Sequence, residues 1–342
     1  MFMFSAGEPS REAKSLLQNS YNRLCRDLLA CNRGAAFVPM QIYSGKGCLM
    51  QEAIMLQKDS NKINWGTVAG ASVFHILAVA ALFMFNWQAL IAALVLWWLA
   101  GSLGVGLGYH RLLTHRGFKV PRWLERTLAV CGTLAMQSGP ITWVTTHRLH
   151  HAFTETDRDP HSPRHGTYWS HMGWIFRGTA QNHSVQTMNR YSPDLMRDPF
   201  LVTLDRYYWV PITIVAAGLL AIGGIPMVLW AVFLRVVFGW HCTWLVNSAT
   251  HLWGSRRFET RDDSRNNGLI AAITWGEGWH NNHHAYPRSA RHGLTWYEFD
   301  FNWVEIRLLE KLGLVSNVYA LDLKKDEQQD ETIDFNPIQD AA

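Results

Sequence analysis

Two long blocks of the chain are apolar and almost free of charge. No Lys, Arg, Asp or Glu occurs from residue 63 to 110, and the block from 207 to 255 contains only Arg235. Each block is too long for one membrane crossing of about 20 apolar residues and fits two crossings joined by a tight turn. The pattern therefore predicts four membrane-spanning helices, near residues 66–85, 88–108, 207–223 and 226–247.

The charged residues predict how these spans are oriented. The turns within the two blocks, at Asn86-Trp87 and from Gly223 to Pro226, are uncharged, whereas residues 116–206 carry 11 Lys and Arg against 7 Asp and Glu. The positive-inside rule assigns that segment to the cytoplasm, and an even number of spans assigns both termini there too. We expect an all-α integral membrane protein with four transmembrane helices and a cytoplasmic helical cap. The alternative, a soluble protein with buried helical hairpins, is disfavoured because two charge-free blocks are hard to bury in a domain of this size.

The rest of the chain divides around this region. Residues 1–60 mix short apolar and charged stretches and are interpreted as an N-terminal extension, with disorder as one interpretation. Residues 61–320 form the predicted membrane domain, and residues 321–342 are a polar, acidic tail that we predict to be disordered.

Composition excludes several classes of function. The net charge of +4 over 342 residues is too mild to indicate a nucleic-acid partner. The five cysteines are odd in number and have no CxxC spacing, so neither a disulfide framework nor a zinc ribbon is expected.

Histidines carry the candidate chemistry. The chain has 16 of them, and nine fall in four clusters that lie in, or at the edge of, the predicted cytoplasmic segments. The clusters are His110 with His115, His147 with His150 and His151, His251 alone after Asn247, and His280 with His283 and His284.

The spacing within the clusters predicts metal binding. Positions i, i+3 and i+4 of an α-helix lie within about 60° of one another, so each HxxHH aims three imidazoles into one volume. HxxxxH does not share one face of an α-helix, which predicts that the helix ends or distorts between Leu112 and His115. Four or five nitrogens per ion would satisfy two metals. Structural zinc prefers four closed ligands with cysteine among them, so a redox pair of irons fits better. The six histidines outside the clusters that we interpret as surface or hydrogen-bonded core residues are His75, His165, His171, His183, His241 and His292.

The clusters and their flanking text resemble a known family. HRLLTH, HRLHH and GEGWHNNHH, in this order and separated by these span pairs, are similar to the three histidine boxes of the membrane fatty acyl desaturases. The resemblance covers roughly residues 62–315, and THRLHHAFTETDRDPHSP and WLVNSATHLWG are similar to the Δ9 group. It implies that the nine clustered histidines bind two irons and that Asn247 holds an iron-bound water. No HPGG haem-binding sequence of a fused cytochrome b5 occurs, so the resemblance implies a separate electron donor of the ferredoxin or cytochrome b5 type.

Acidic residues near the clusters are candidates to orient the imidazoles, because a metal-bound histidine usually donates its other N–H to a carboxylate or carbonyl. Glu155 and Asp159 follow the second cluster, and Glu277 precedes the fourth by three residues. Asp157 is equally well interpreted as part of a solvated acidic loop.

Four further side chains near the clusters have candidate roles. Trp143 and Trp244 match tryptophans that line the acyl tunnel in the Δ9 group. Arg288 and Arg291 follow the fourth cluster and are candidates to contact a lipid head group, CoA or the electron donor. Arg235, inside the fourth span, either has a functional or pairing role or snorkels to the interface.

The sequence therefore predicts an O2-dependent fatty acyl desaturase. We expect it to introduce a cis double bond, at Δ9, into C16 or C18 chains carried by CoA or lipid, with two external electrons. A membrane hydroxylase or ketolase with the same ligands is the nearest alternative. A histidine-rich metal transporter is less favoured because its ligands would lie within the spans, and a purely structural membrane protein is the least favoured.

Overall fold

The computed structural model describes residues 62–177 and 183–323, and the regular structure in this part of the chain is helical. The predicted N-terminal extension and most of the acidic tail lie outside the described residues. The helices, numbered along the chain, are α1 (Trp65–Ala81), α2 (Trp87–Thr114), α3 (Arg122–Thr133), α4 (Pro140–Phe153), α5 (Val185–Tyr191), α6 (Pro193–Met196), α7 (Pro199–Arg206), α8 (Val210–Val228), α9 (Arg235–Ser248), α10 (Gly268–Ile273), α11 (His280–Ala285) and α12 (Phe301–Lys311). Further helical segments occupy Pro163–His165, Trp169–Gly173, Trp174–Phe176, Leu229–Leu234 and Ala249–His251.

The turns predicted within the apolar blocks coincide with local breaks in the backbone. Asn86 caps the start of α2, where its side-chain oxygen accepts a hydrogen bond from the backbone N–H of Ala89 at 2.7 Å. Gly224 interrupts α8 with φ 68° and ψ −162°, a conformation that favours glycine. Two helical segments therefore meet at Gly224.

Two of the helical stretches are long and apolar enough to cross a membrane. They are Trp87–Thr114, which is α2, and Val210–His251, which runs from α8 through α9 to the turn at His251. α1 is a shorter apolar helix. Large apolar side chains point outward along these helices and in the turn after α1, including Ile222 at 82% exposure and Phe83 at 85%. The exterior of this part of the molecule is therefore apolar.

α2 and α3 approach each other at backbone distance. A Cβ atom placed on Gly104 of α2 would lie 2.5 Å from the carbonyl carbon of Cys131, and one placed on Gly132 of α3 would lie 2.4 Å from the ring of Tyr109. Only glycine fits at either position. This contact fixes α3, and the loop that follows it, against the helix that ends in the first histidine cluster.

Asp205 of α7 fixes the start of α4. Its carboxylate accepts hydrogen bonds from the backbone N–H and the hydroxyl of Thr142 at 2.8 and 3.0 Å. A carboxylate at a helix N-terminus satisfies an otherwise unpaired N–H and complements the helix dipole. α4 carries the second histidine cluster, so this cap helps to set the direction in which those imidazoles point.

A candidate dinuclear metal centre

The nine clustered histidines come together where α2, α4, the turn at Ala249–His251 and α11 meet. They separate into two groups whose ligand atoms lie within 4.8 Å of one another, and the groups have five and four members. The first group is His110, His115, His147, His151 and His283. The second group is His150, His251, His280 and His284. Each HxxHH motif therefore contributes to both groups.

A wide-turned helix brings His110 and His115 together. From Trp98 to Thr114, α2 has about one more residue per turn than an α-helix, and the N–H of His115 donates to the carbonyl of His110 at 3.2 Å. In such a helix residues five apart share a face. The distortion predicted before His115 is confirmed, and the helix is wide over more of its length than the motif indicated.

The imidazole Nε2 atoms of each group converge. In the first group the Nε2 atom of His283 lies 3.1 Å from that of His110 and 2.9 Å from that of His151. In the second, the Nε2 atom of His280 lies 3.1 Å from that of His251 and 3.0 Å from that of His284. Two nitrogens bound at right angles to one ion, each about 2.1 Å from it, are separated by about 3 Å. The spacing of the nitrogens in both groups fits a shared metal ion.

Burial keeps these imidazoles neutral. It lowers the pKa values of His115, His147, His151, His280 and His283 well below their usual range, and repulsion between neighbouring imidazolium charges lowers them further. A neutral imidazole presents a lone pair to a metal. Nε2 of His115 is buried and has no hydrogen-bond partner among the described residues, as expected for a nitrogen reserved for a ligand.

Carboxylates hold the other ring nitrogen of four of these histidines. The Nδ1 atoms of His110 and His251 lie 2.5 Å from Glu277 Oε2 and 2.9 Å from Glu155 Oε1. A carboxylate on Nδ1 fixes the tautomer that leaves Nε2 free to bind a metal.

Two further histidines of the second group, His150 and His284, have the same arrangement. The Nδ1 atoms of His150 and His284 lie 3.0 Å from Asp159 Oδ1 and 2.8 Å from Asp262 Oδ2. Burial alone would raise the pKa values of Asp159 and Asp262, but their histidine partners outweigh it and hold both below the usual range. Asp262 was not predicted from the sequence, because nothing in RDDSRNN separates it from a solvated acidic loop. Asp157, by contrast, has a side chain that is 96% exposed.

Behind the first group lies a buried ion-pair network centred on Arg111. All five guanidinium N–H groups of Arg111 are used, on Glu277, Asp300 and the carbonyl of Ala290, at 2.8 to 3.0 Å. Burial alone would raise the pKa of Glu277, but Arg111, His110 and His292 outweigh it and hold that pKa well below its usual range. Arg111 therefore orients the carboxylate that orients His110.

Two histidines outside the clusters also lie at the site. His292 is buried, and its Nδ1 atom lies 3.2 Å from Glu277 Oε2. His161 stacks on His150 with ring centres 4.3 Å apart. The sequence favours a surface or hydrogen-bonded core position for His292, and the structure places it in the core beside Glu277. The turn sequence around His161 gave no sign of its position.

Two cavities meet at the histidines. The large cavity, about 690 Å³, extends between Phe74 of α1, Trp143 of α4 and Trp244 of α9, and its volume lies within the ~300–1,000 Å³ range of ligand sites. The small cavity, about 80 Å³, extends between Ala100 of α2 and Arg235 of α9. The residues that line both cavities are Gln137, Trp143, His147, Thr243 and Asn247.

Hydrogen bonds link the side chains that line both cavities. Gln137 donates from its side-chain nitrogen to Thr243 Oγ1 at 2.9 Å and accepts from Trp143 Nε1 at 3.3 Å. The ring of Trp143 stacks on His147, with ring centres 5.1 Å apart. We call Gln137, Trp143 and Thr243 the constriction. Trp143 and Trp244 were predicted to line a tunnel, whereas Gln137 and Thr243 were not singled out.

The two predicted head-group or donor contacts differ from each other. Arg288 is exposed, and its guanidinium lies over the ring of Tyr319. Arg291 donates to the carbonyls of Gly293 and Leu294 in its own loop, so its guanidinium is partly used there. Neither lines the two cavities. Their role in binding remains a prediction.

Comparison with known proteins identifies the family. The family model for fatty acid desaturases matches residues 85–314. The chain is 48% identical to an sn-2 palmitoyl-lipid 9-desaturase of a Nostoc strain, over 77% of this chain and 92% of that protein. It is 46% identical to an sn-1 stearoyl-lipid 9-desaturase of Anabaena variabilis, over 77% and 97%. It is 42% identical to a chloroplastic palmitoyl-monogalactosyldiacylglycerol delta-7 desaturase of Arabidopsis thaliana, over 78% and 72%.

The region that the family model matches contains all nine clustered histidines and the five residues that line both cavities. Shared sequence over most of each relative, and over two thirds of this chain, goes well beyond a common histidine pattern. The chain belongs to the fatty acid desaturase family.

Proposed function

We propose that this protein is an O2-dependent acyl-lipid desaturase that introduces a cis double bond at Δ9 into C16 and C18 chains. The observation that carries the proposal is the position of the two imidazole groups beside two cavities that share part of their lining. A chain lying through both cavities passes His147, which belongs to the first group and lines both. Two relatives are named as lipid 9-desaturases, which supports both the carrier and the position of the double bond.

The lining of the large cavity favours a lipid carrier over CoA. Its residues include no Lys or Arg, and Asp205 is the only carboxylate among them. Polyphosphate groups are recognised by Arg and Lys. The described part of this cavity offers neither, so an acyl chain esterified to a lipid fits it better than an acyl-CoA.

The nine histidines would hold two irons, one in the five-histidine group and one in the four-histidine group, and Asn247 would hold an iron-bound water. Two bound irons would supply the coupled reduction of O2 to water and removal of two hydrogens from adjacent CH2 groups, with two electrons from a separate protein donor and two protons. Glu155, Asp159, Asp262 and Glu277 keep the imidazoles oriented. The protein's contribution is to hold one carbon pair beside the histidines, which is worth several orders of magnitude in rate.

The constriction and the cavity walls position the substrate. Trp143 and Trp244 form apolar walls of the large cavity, while Gln137 and Thr243 bound the junction at which the chain bends. In this proposal the methyl end occupies the small cavity, whose lining includes the apolar side chains of Ala100, Val105 and Val236. Carbons on the carboxyl side lie in the large cavity, so the number of carbons before the bend sets the position of the double bond.

The membrane topology is part of the proposal. α1, α2 and the two halves of Val210–His251 would be four spans, with the histidine-bearing segments and both termini in the cytoplasm. The apolar exterior of these helices supports this arrangement, as does the low burial of Val210–His251, in which 17% of the most apolar stretch is buried. A soluble core helix would be covered on all sides.

Topology can be measured directly. We expect a reporter fused after Ala342 to be active on the cytoplasmic side, and a glycosylation acceptor introduced at Asn86 or Gly224 to be modified from the other side, because charge-poor turns cross the membrane more readily. An acceptor introduced at Asp157, which is exposed in the cap, is the matched negative control. Glycosylation at position 157, or an outward C-terminus, would contradict four spans.

The function is tested by expression in a host that has no desaturase of its own, followed by gas chromatography and mass spectrometry of derivatised lipids. We expect new 9-cis C16 and C18 monoenes in the glycerolipid fraction. A hydroxylated or keto product would identify the alternative reaction with the same ligands. A double bond counted from the methyl end would contradict the position, and product confined to acyl-CoA would contradict the carrier.

A further inference from the structure

The loop that joins α3 to α4, residues 134–138, forms part of the wall of both cavities. Ala135 lines the small cavity, Met136 and Ser138 line the large cavity, and Gln137 lines both. We call it the 134–138 loop. Its backbone carries the side chain at the centre of the constriction, so any shift of the loop moves Gln137 relative to the histidines.

Side chains of one helix, α9, form hydrogen bonds to the first four residues of this loop. Arg235 donates to the carbonyl of Leu134 at 2.5 Å, and Trp240 Nε1 donates to the carbonyls of Ala135 and Met136 at 3.1 and 3.0 Å. Gln137 then donates to Thr243 of the same helix. Three consecutive backbone carbonyls are therefore bonded to α9.

The loop needs these bonds because its backbone is in an uncommon conformation. Met136 has φ 54° and Ser138 has φ 76°, and neither is glycine. Non-glycine residues adopt left-handed backbone angles when their surroundings hold them there. Without its bonds to α9, we expect the loop to relax and the side chain of Gln137 to leave its bond with Thr243.

Arg235 lines the small cavity and is well placed to hold the loop. It is buried, with 4% exposure, and does not snorkel to the interface. It forms no ion pair among the described residues; its Nε donates to the carbonyl of Ala231 in its own helix, and Nη2 has no hydrogen-bond partner there. The carbonyl of Leu134 follows the C-terminus of α3, where unpaired carbonyls carry partial negative charge. The cation therefore pairs with the end of α3 rather than with a carboxylate.

We propose that Arg235 and Trp240 are positioning residues that fix the 134–138 loop and thereby determine which carbon pair of the acyl chain lies beside the histidines. Neither residue has to touch the reacting carbons. The inference rests on the proposed function, because it concerns the position of the double bond that the enzyme introduces. It assigns that position to the anchoring of a loop in addition to the tryptophan walls.

The test compares products of Arg235→Met, Arg235→Lys and Trp240→Phe with those of the unaltered protein in the desaturase-free host. Mass spectrometry of derivatised monoenes gives the fraction of product with a displaced double bond. Loss of a charge-assisted hydrogen bond predicts a roughly tenfold rise of that fraction in Arg235→Met. Arg235→Lys keeps one donor and is expected to restore most of the original distribution. Trp240→Phe keeps the ring but loses the N–H, and is expected to show a smaller rise. Val237→Ala is the control for a change to α9 itself, because Val237 lines neither cavity, whereas Arg235 lines the small cavity and Trp240 lines the large cavity. Arg235→Lys and Trp240→Phe, which keep most of each side chain in the cavity wall, separate loss of the hydrogen bonds from a change in the wall.

The outcomes separate this inference from the proposed function. If the unaltered protein makes no monoene, the proposed function fails, whatever the variants do. The positioning role is overturned if the unaltered protein makes one isomer and both Arg235→Met and Trp240→Phe make that isomer in the same proportion. This holds whatever the turnover rates of the two variants are. Should Arg235→Met not accumulate, the isomer distributions of Arg235→Lys and Trp240→Phe decide the question in the same way.

Discussion

Desaturation is expected to fall by more than about 100-fold when His147, His151 or His284 is replaced by alanine, because loss of a residue that only supports a ligand already costs about 10- to 100-fold. His147 and His151 belong to the five-histidine group, and His284 belongs to the four-histidine group. Each substitution leaves one metal short of a ligand and opens a gap in a buried site. We expect roughly two irons per chain in the unaltered protein and about one fewer in each variant, measured by elemental analysis of the purified protein.

A histidine outside both groups provides the matched control. His165 lies in the helical turn Pro163–His165 with a side chain that is 40% exposed, and a carboxylate oxygen of Asp157 is 3.5 Å away. His165→Ala should keep both the iron content and the activity. Near-normal turnover in any of the three ligand variants would contradict the assignment of the groups. One tightly bound zinc and no iron in the unaltered protein would contradict the di-iron centre itself.

Replacing Arg111 by methionine is expected to lower the free energy of unfolding by about 3–5 kcal/mol, the usual cost of removing one partner from a buried ion pair. Arg111 has no exposed side-chain surface, and its two carboxylate partners, Glu277 and Asp300, are themselves buried. Methionine fills similar space but leaves two negative charges without their cation. Thermal unfolding in detergent, followed by intrinsic fluorescence, measures the loss.

Arg116, five residues further along, makes ion pairs of a different kind. It bonds to Asp194 and Glu125, but its side chain is 40% exposed. Exposed pairs contribute about 0–1 kcal/mol, so Arg116→Met should change the unfolding temperature little. Equal shifts for Arg111→Met and Arg116→Met would show that the Arg111 network does not carry the stability we assign to it.

The sequence predicted those parts of the site that follow from local spacing. HxxHH places three imidazoles on one side of an α-helix, and in α4 His147 and His151 join the five-histidine group while His150 joins the four-histidine group. Glu155 and Glu277 could be predicted as partners of the imidazoles because each lies close in sequence to a histidine cluster, and a metal-bound histidine usually donates its other N–H to a carboxylate or carbonyl. The two breaks in the apolar blocks could also be predicted, since Asn caps and glycine turns act over a few residues.

The parts that were missed depend on contacts between distant residues. Arg111 lies inside HRLLTH, where it looks like a spacer, and its partners Glu277 and Asp300 follow 166 and 189 residues later. The division of the nine histidines into five and four is likewise set by how α4 and α11 face each other. No periodicity encodes that relation. The 134–138 loop was also missed, because its shape is held by side chains of α9 rather than by its own residues.

The wide turns of α2 make the first histidine cluster sensitive to chain length. Residues five apart share a face only while the helix keeps its extra residue in each turn, from Trp98 to Thr114. Removing a single residue between Gly104 and His110 would rotate Gly104, and everything before it, by roughly 80–100° relative to His110. Gly104 would then leave α3, or His110 would leave Glu277. This stretch of the gene should therefore tolerate substitutions at outward-facing positions far better than insertions or deletions of one codon.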